Sequence, residues 1–308
     1  MRKNILIIGG TRFFGPLLVE KLLEAEHRVT IATRGLTSDV FGERVERIFV
    51  DRRNLLSMTD AFAECHFDLV YDQLCYSPED ARIADKVFSG RVDRYVMAST
   101  IETYDQLGCI TDQPFHESLL DLEKIQIDFD YPWLNPEYAE VSYAKGKRQS
   151  EAYFYQRSDL PVVSIRIGHV LSGTDDFTGR LAFYVEKALS GEQLQYSSTV
   201  SQSSFLNPNE IAKFLVWVGE QSFIGPINAA SHGCLSSKDI IDRVSRVLDI
   251  SISTSETQRK VKPSELSPFD FPVNHAMDTS RAQSLGYHFT HIDDWLDILV
   301  KQHAKAKQ

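Results

Sequence analysis

Basic charge is in short supply in this sequence. Across 308 residues, 33 Lys and Arg stand against 43 Asp and Glu, for a formal net charge of -10. A surface of that sign repels phosphate backbones, which argues against nucleic acid as a partner. The one basic stretch, residues 301–307, is too short to reverse the balance and is expected to end a surface helix and fray. Cysteine is also scarce: Cys65, Cys75, Cys109 and Cys234 lie far apart with no C-x-x-C pair. That spacing speaks against a zinc site or a disulfide framework, so no metal is expected and reduced thiols in the cytoplasm are the natural reading. Long apolar runs are missing too, and nothing approaches the roughly 18 residues of a membrane span. The start has a basic N-terminus followed by Ile5, Leu6, Ile7 and Ile8, but the run is too short for a signal peptide and Gly9-Gly10 ends it. Repeats, low-complexity tracts and flexible linkers are absent, so any two parts of the chain should pack directly and form a cleft.

What is present is alternation. The run at residues 5–8 suits a parallel strand covered on both faces. A helix follows with Leu17, Leu18, Leu22 and Leu23 on one side, then strands over 29–32 and 47–50. A helix over 54–63, a strand over 68–72, a helix over Pro78–Phe88 and a strand over 95–98 continue the rhythm, with Pro78 suited to a first turn. A helix over 138–156 and a strand over 161–167 complete it. The fold expected is α/β, a Rossmann-type doubly wound parallel sheet with a smaller C-terminal α/β substrate domain. The domains read as 1–170, with 205–230 returning to it, and 171–308. In the second part, helical patterns lie over 180–189, 208–220 and 236–248, and a connection carries Pro263, Pro268 and Pro272.

Between the first strand and helix runs Gly9-Gly10-Thr11-Arg12-Phe13-Phe14-Gly15. Glycines there permit the turn and let a pyrophosphate reach the amides, while the helix N-terminus adds partial positive charge. These seven residues are therefore candidates for holding a dinucleotide, although a tight turn alone would explain the diglycine, and Arg12 stands where a middle glycine is usual. The second strand ends in Thr33 and Arg34 with no carboxylate for the ribose hydroxyls. Arg34, assisted by Arg12, could pair with a 2′-phosphate, so NADP is favoured over NAD. The plainer alternative is that both guanidinium groups are merely solvated.

Tyr143 and Lys147 stand four apart, on one face of a helix. An ammonium near a phenol favours the phenolate, so Tyr143 can exchange a proton with a substrate hydroxyl while Lys147 also holds the nicotinamide ribose. Ser99 and Thr100 end the strand before that helix, where open α/β sheets bind ligands. Thr100 would orient the substrate oxygen toward Tyr143 and Ser99 would serve the cofactor or the local turn; ordinary strand-end hydrogen bonding is the alternative for both.

At these residues the chain resembles the short-chain dehydrogenase/reductase superfamily, in its extended, NAD-dependent epimerase/dehydratase-like branch. Among its members it is most similar to an atypical subgroup with a G-G-x-x-x-x-G loop. The resemblance runs through nearly the whole chain, including the stretches at 166–173, 205–212 and 278–281. It implies that Asp51 accepts from the adenine amino group with Arg52 beside it, unless Asp51 is a turn or cap acid. It implies Leu74 and Cys75 near the adenosine ribose and pyrophosphate, and Ile167 and His169 bordering the nicotinamide, with a structural histidine as the alternative for His169. Arg180 would bind an anionic substrate group or simply be solvated at a helix start. The exit of the fourth strand, Asp72-Gln73-Leu74-Cys75-Tyr76, departs from the small residues many relatives show. Relatives often dimerise through the helices holding Pro78–Phe88 and Tyr143 to Lys147, which implies a homodimer.

The long acidic stretch between Tyr104 and Tyr138 carries Phe115, Tyr131, Trp133 and Pro136. Loops of this length without periodicity are usually functional or disordered; Tyr131 and Trp133 either face a substrate or pin the loop to the core. Together these features point to an NAD(P)-dependent epimerase/dehydratase or reductase acting on a hydroxyl- or carbonyl-bearing small molecule, a nucleotide sugar among the candidates. The competing reading is a non-catalytic NAD(P)-binding sensor or an RNA-associated scaffold.

Overall fold

A computed structural model describes residues 2–107, 113–133, 135–174, 176–197, 201–257 and 267–307. Cys109 and Pro263 lie outside the described residues. The chain divides into two compact units. The first comprises Met1–Asp105, Glu117–Ile167 and Ile211–Asn228, and the second Gln106–His116, Gly168–Glu210 and Ala229–Gln308.

The first unit is built on strands β1 (Asn4–Ile8), β2 (Arg28–Thr33), β3 (Glu46–Phe49), β4 (Leu69–Asp72), β5 (Tyr95–Thr100) and β6 (Val162–Ile167). These pair in parallel, and with β10 (Gly225–Ala229), which follows helix α6 (Pro208–Glu220), the seven-stranded sheet runs β10-β6-β5-β4-β1-β2-β3. The reversal between β1 and β4 is the switch point of a doubly wound sheet, where such folds bind ligands at the strands' carboxyl ends. Ile5 to Ile8 are wholly buried, as the central position of β1 requires. The edge strand β3 begins one residue earlier than its apolar pattern suggests, and it is largely exposed, so the pattern constrains it weakly.

Helices α1 (Gly15–Glu24), α2 (Leu55–Phe62), α3 (Pro78–Phe88) and α4 (Ala139–Arg157) complete the layers. Each start has a local cause. Asn54 accepts from Ser57 N at the head of α2, and Ser77 accepts from Asp80 N with Pro78 in the first turn of α3. Met58, Phe62, Ala84, Val87, Phe88, Tyr95 and Phe154 belong to one buried apolar cluster.

In the second unit, β7 (His169–Val170), β9 (Ser203–Leu206) and β11 (Cys234–Leu235) form a three-stranded sheet, and β8 (Leu194–Ser197) pairs with β12 (Thr254–Thr257). Helices α5 (Arg180–Ser190), α7 (Ser237–Leu248) and α9 (Leu296–Lys305) enclose a core of Leu181, Tyr184, Ile240, Val244, Leu296 and Val300. Ser236 and Asp239 form a capping box at the head of α7. The basic tail ends helix α9 (Leu296–Lys305), as its charge suggested. It is helical through Lys305, with His303 buried against the Ser172 carbonyl at 3.0 Å. Among the described residues, no helix is long and apolar enough to cross a membrane, and no cluster of His, Cys, Asp and Glu could hold a metal.

Candidate active site

The glycine loop leaves β1 with Gly9 at φ +104° and Gly10 at φ +90°, a region that side chains rarely enter. Phe13 also adopts a positive φ of 58°, a strained conformation of the kind functional turns keep. Gly15 is required for a different reason. A Cβ there would lie 2.8 Å from both Gly10 Cα and Gln73 Oε1. Helix α1 then starts with no side-chain cap and no acidic residue in its first turn. An uncapped helix N-terminus behind a glycine cradle suits an anionic phosphate group.

Gln73, the first residue beyond β4, belongs to this cradle. Its Oε1 accepts from Gly10 N at 3.1 Å, while its Nε2 is buried with no partner among the described residues. A buried donor without an acceptor is costly unless something outside the chain meets it. The residues present therefore fit a dinucleotide: a closed glycine turn, the positive end of a helix behind it and an unspent amide donor. Gln73→Glu keeps an acceptor for Gly10 N but sets a carboxylate beside the diphosphate position. Dinucleotide affinity should fall about tenfold to a hundredfold by like-charge repulsion, measured by calorimetry. An unchanged affinity would place the diphosphate elsewhere.

Arg12 is exposed and donates to Thr37 Oγ1 at 3.2 Å, tying the glycine loop to the segment after β2. Arg34 is exposed on that segment and has no carboxylate partner among the described residues. Leu74 meets the position of a Cβ on Gly9 at 3.3 Å, so it lines the loop. Asp51 is exposed and makes a turn, accepting from Arg53 N at 3.0 Å.

Several residues expected at the cofactor are committed inside the protein. Arg52 is buried, paired with Asp72 and donating to the Asp80 carbonyl at 2.8 Å. Tyr95 adds a 2.5 Å hydrogen bond to Asp72. Arg52 thus anchors the turn after β4. Cys75 is wholly buried in the apolar cluster, and burial pushes its thiol up to about 12, so its side chain is core. Ser99 donates to Glu151, which is locked by Arg166 through Nη2–Oε2 at 2.7 Å and Nε–Oε2 at 3.0 Å. Arg166 also donates to Tyr104 Oη at 2.8 Å and to the Glu117 carbonyl at 3.1 Å. The Ser99 hydroxyl therefore braces the sheet against α4.

Ile167 ends β6 in the first unit. His169 belongs to the second, where its ring stacks on Phe271 with centroids 5.0 Å apart and is flanked by Phe205 and Phe269. Burial, with the charges of Arg180 and His275, drives its pKa well below the ordinary histidine value, so it stays neutral. It is a core histidine. Arg180 lies over Phe269 at 5.4 Å and has no carboxylate partner among the described residues.

Helix α4 carries the candidate acid–base residues. Tyr143, Lys147 and Glu151 recur at a spacing of four on one face. Tyr143 is 37% exposed, whereas Lys147 is 2% exposed and donates from Nζ to the Ala98 carbonyl at 2.6 Å. The Lys147 ammonium stands 6.0 Å from the Tyr143 ring centroid. Burial pulls it down to about 8, against the opposing charges of Cys75, Asp72 and Asp80. Thr100 lies two residues beyond Ala98 on β5. Its Oγ1 accepts from Glu102 N at 3.3 Å and its own proton has no acceptor among the described residues.

Tyr131 and Trp133 pack on α4. Lys145 Nζ lies 3.9 Å from the Tyr131 ring and 5.5 Å from that of Trp133, while Trp133 Nε1 donates to the Asp128 carbonyl at 2.8 Å. Their contacts pin the segment to the helix carrying Tyr143. Gln73 and Tyr76 were not singled out individually in the sequence; the unusual β4 exit was the available signal. Glu151 was legible as the next step of the four-residue spacing.

Comparison with known proteins agrees with this geometry. The sequence model of the NAD dependent epimerase/dehydratase family matches residues 5–228. A 2'-dehydrokanamycin reductase from Streptomyces kanamyceticus is 30% identical over 98 residues, 32% of this chain and 28% of the reductase's length. The fold is similar to that of UDP-glucose 4-epimerase from Thermotoga maritima, solved with UDP-glucose (TM-score 0.72, 14% identity, 99% of this chain and 100% of that one). It is similar too to dTDP-glucose 4,6-dehydratase from Bacillus anthracis, solved with NAD (TM-score 0.72, 14% identity, 98% and 96% covered). The cradle after β1, the doubly wound sheet and a family match over most of its length show that this chain belongs to the NAD-dependent epimerase/dehydratase family, enzymes of the extended short-chain dehydrogenase/reductase type.

Proposed function

We propose that this chain is an epimerase/dehydratase or reductase that interconverts a carbinol and a carbonyl on a small molecule, with a nucleotide sugar as the substrate class. The observation that carries the reading is the pairing of a half-exposed phenol, Tyr143, with a buried, carboxylate-free ammonium one turn on, Lys147. With its diphosphate in the glycine cradle, a dinucleotide would supply or accept the hydride at its nicotinamide. Tyr143 exchanges the substrate's hydroxyl proton, and the Thr100 hydroxyl, which accepts from Glu102 N, donates its own proton to the same oxygen. Lys147 has spent one of its N–H donors on Ala98 and keeps two, which can hold the nicotinamide ribose while its charge stabilises the phenolate. A reductase releases the cofactor after one transfer, and an epimerase keeps it and returns the hydride. The substrate class is supported by the nucleotide sugars named for the similar structures.

The test is a single-turnover assay with bound dinucleotide and a panel of nucleotide sugars and simpler carbonyl compounds, following the absorbance of the reduced nicotinamide. Substrate-dependent change is expected. Tight dinucleotide binding without any transfer across the panel would favour a sensor instead.

The cofactor preference is for NADP, supported by exposed Arg12 and Arg34 at the end of β2 and the lack of a carboxylate there. Arg34→Ala should weaken NADP about tenfold, the worth of one charge-assisted phosphate contact, and leave NAD almost unchanged. Parallel titrations with the two cofactors read this directly, and an equal loss for both would remove the preference. A cytoplasmic homodimer joined through α3 and α4 completes the proposal, and sedimentation of the purified protein tests the dimer.

A further inference from the structure

The β4 exit carries a tyrosine, Tyr76, and the structure holds it firmly. Leu74 N donates to Asp72 Oδ1 at 2.8 Å and Tyr76 N donates to Asp80 Oδ2 at 2.9 Å, while Arg52 ties Asp72 to Asp80. The Tyr76 carbonyl lies so close to α4 that a Cβ on Gly146 would collide with it, so the turn and the helix meet at a fixed spot. From there the Tyr76 ring reaches the acid–base pair. Its centroid is 4.3 Å from Lys147 Nζ and 6.1 Å from the Tyr143 ring, inclined at 44° to it.

The Lys147 ammonium has little else nearby. Its hydrogen bond goes to the neutral Ala98 carbonyl, and no carboxylate lies within ion-pair distance among the described residues. Asp72, Asp80, Cys75 and Arg52 act on it only at longer range, and Tyr76 and Tyr143 are the rings that face it. A buried cation in that setting gains from the negative face of an aromatic ring.

We infer that Tyr76 is a positioning residue for the acid–base pair, its ring face seating the Lys147 ammonium beside Tyr143. The inference rests on the function proposed above, and it concerns the ring rather than the Tyr76 hydroxyl. Phenylalanine should therefore replace Tyr76 in this role, and an aliphatic side chain should not.

The test is an NMR titration of lysine-labelled protein, with the Lys147 signal assigned by its loss in Lys147→Met. In the wild type, Lys147 should titrate well below the other lysines, and Tyr76→Phe should retain that midpoint. Tyr76→Leu, or Tyr76→Met if the leucine variant lacks a native spectrum, should lower the midpoint by about one pH unit, the loss of a desolvated ring–cation contact. The alkaline limb of kcat/KM should move by the same amount, because the ammonium is present below the midpoint and lost above it. A leucine or methionine variant that titrates at or above the wild-type midpoint would overturn the inference, as would a phenylalanine variant that shifts equally far. The titration needs no substrate. An inactive wild type would therefore count against the proposed reaction and leave the ring's hold on Lys147 to be judged separately.

Discussion

Replacing Tyr143 with phenylalanine should cut kcat by about two to four orders of magnitude, the range for loss of a positioned general acid or base. The same variant should bind dinucleotide within about threefold of wild type, since the interaction removed is one made in the transition state. Phenylalanine retains the ring that packs 6.1 Å from Tyr76, and position 143 is 37% exposed. Stability should shift by no more than about 0.5 kcal/mol, as for other partly exposed positions. Steady-state kinetics beside a binding titration give the split between kcat and affinity. Equal loss of both would mean that Tyr143 helps hold the cofactor, and retention of both would leave the phenol without a chemical role.

The largest effect on stability is expected at Glu151, which takes no part in the chemistry. Its side chain and that of Arg166 are both wholly buried, and its carboxylate accepts from Arg166 and from Ser99. Glu151→Ala strands a guanidinium in the interior with only Tyr104 Oη and the Glu117 carbonyl for company. Breaking a buried pair from one side costs about 3–5 kcal/mol, more than the pair itself contributes against an apolar replacement. Urea denaturation should show that loss as a lower midpoint with little change in slope. Alanine at Glu46, whose pair with Arg28 is more than half exposed, should barely move the midpoint and serves as the control. A Glu151 variant as stable as the control would mean that water or a neighbouring acceptor takes over the guanidinium.

The parts of this molecule readable from sequence are those where position and chemistry coincide along the chain. Ile5 to Ile8 read as a buried parallel strand because a central strand is covered on both faces. Gly9, Gly10 and Gly15 read as a cradle because only glycine tolerates those turns and that approach. Tyr143 and Lys147 read as a pair because the helix sets their spacing. Alternatives stayed open in the sequence where a polar residue's partner lies far away along the chain. Arg52 and Asp72 are 20 residues apart and Ser99 and Glu151 are 52 apart, so nothing local shows that these side chains turn inward. His169 followed the same logic: its aromatic cage draws on Phe205, Phe269 and Phe271, which become neighbours only in the folded unit. The acidic stretch with Tyr131 and Trp133 lacked periodicity, yet its rings fold onto Lys145 of α4, a contact no repeat pattern encodes. Gln73 and Tyr76 were hidden differently. Their residue types suit a surface turn, and only the sheet topology carries that turn to both the glycine loop and Lys147.

A crystal structure of the protein soaked with NADP tests the account most directly. The diphosphate should lie on the amides of the Gly9 to Gly15 loop, Lys147 Nζ should reach a nicotinamide-ribose hydroxyl, and the Tyr143 oxygen should sit within about 3 Å of that ribose or of a substrate oxygen at the nicotinamide. Crystals that bind the dinucleotide well but turn the Tyr143 oxygen away from the nicotinamide, or that take up none at all, would contradict it.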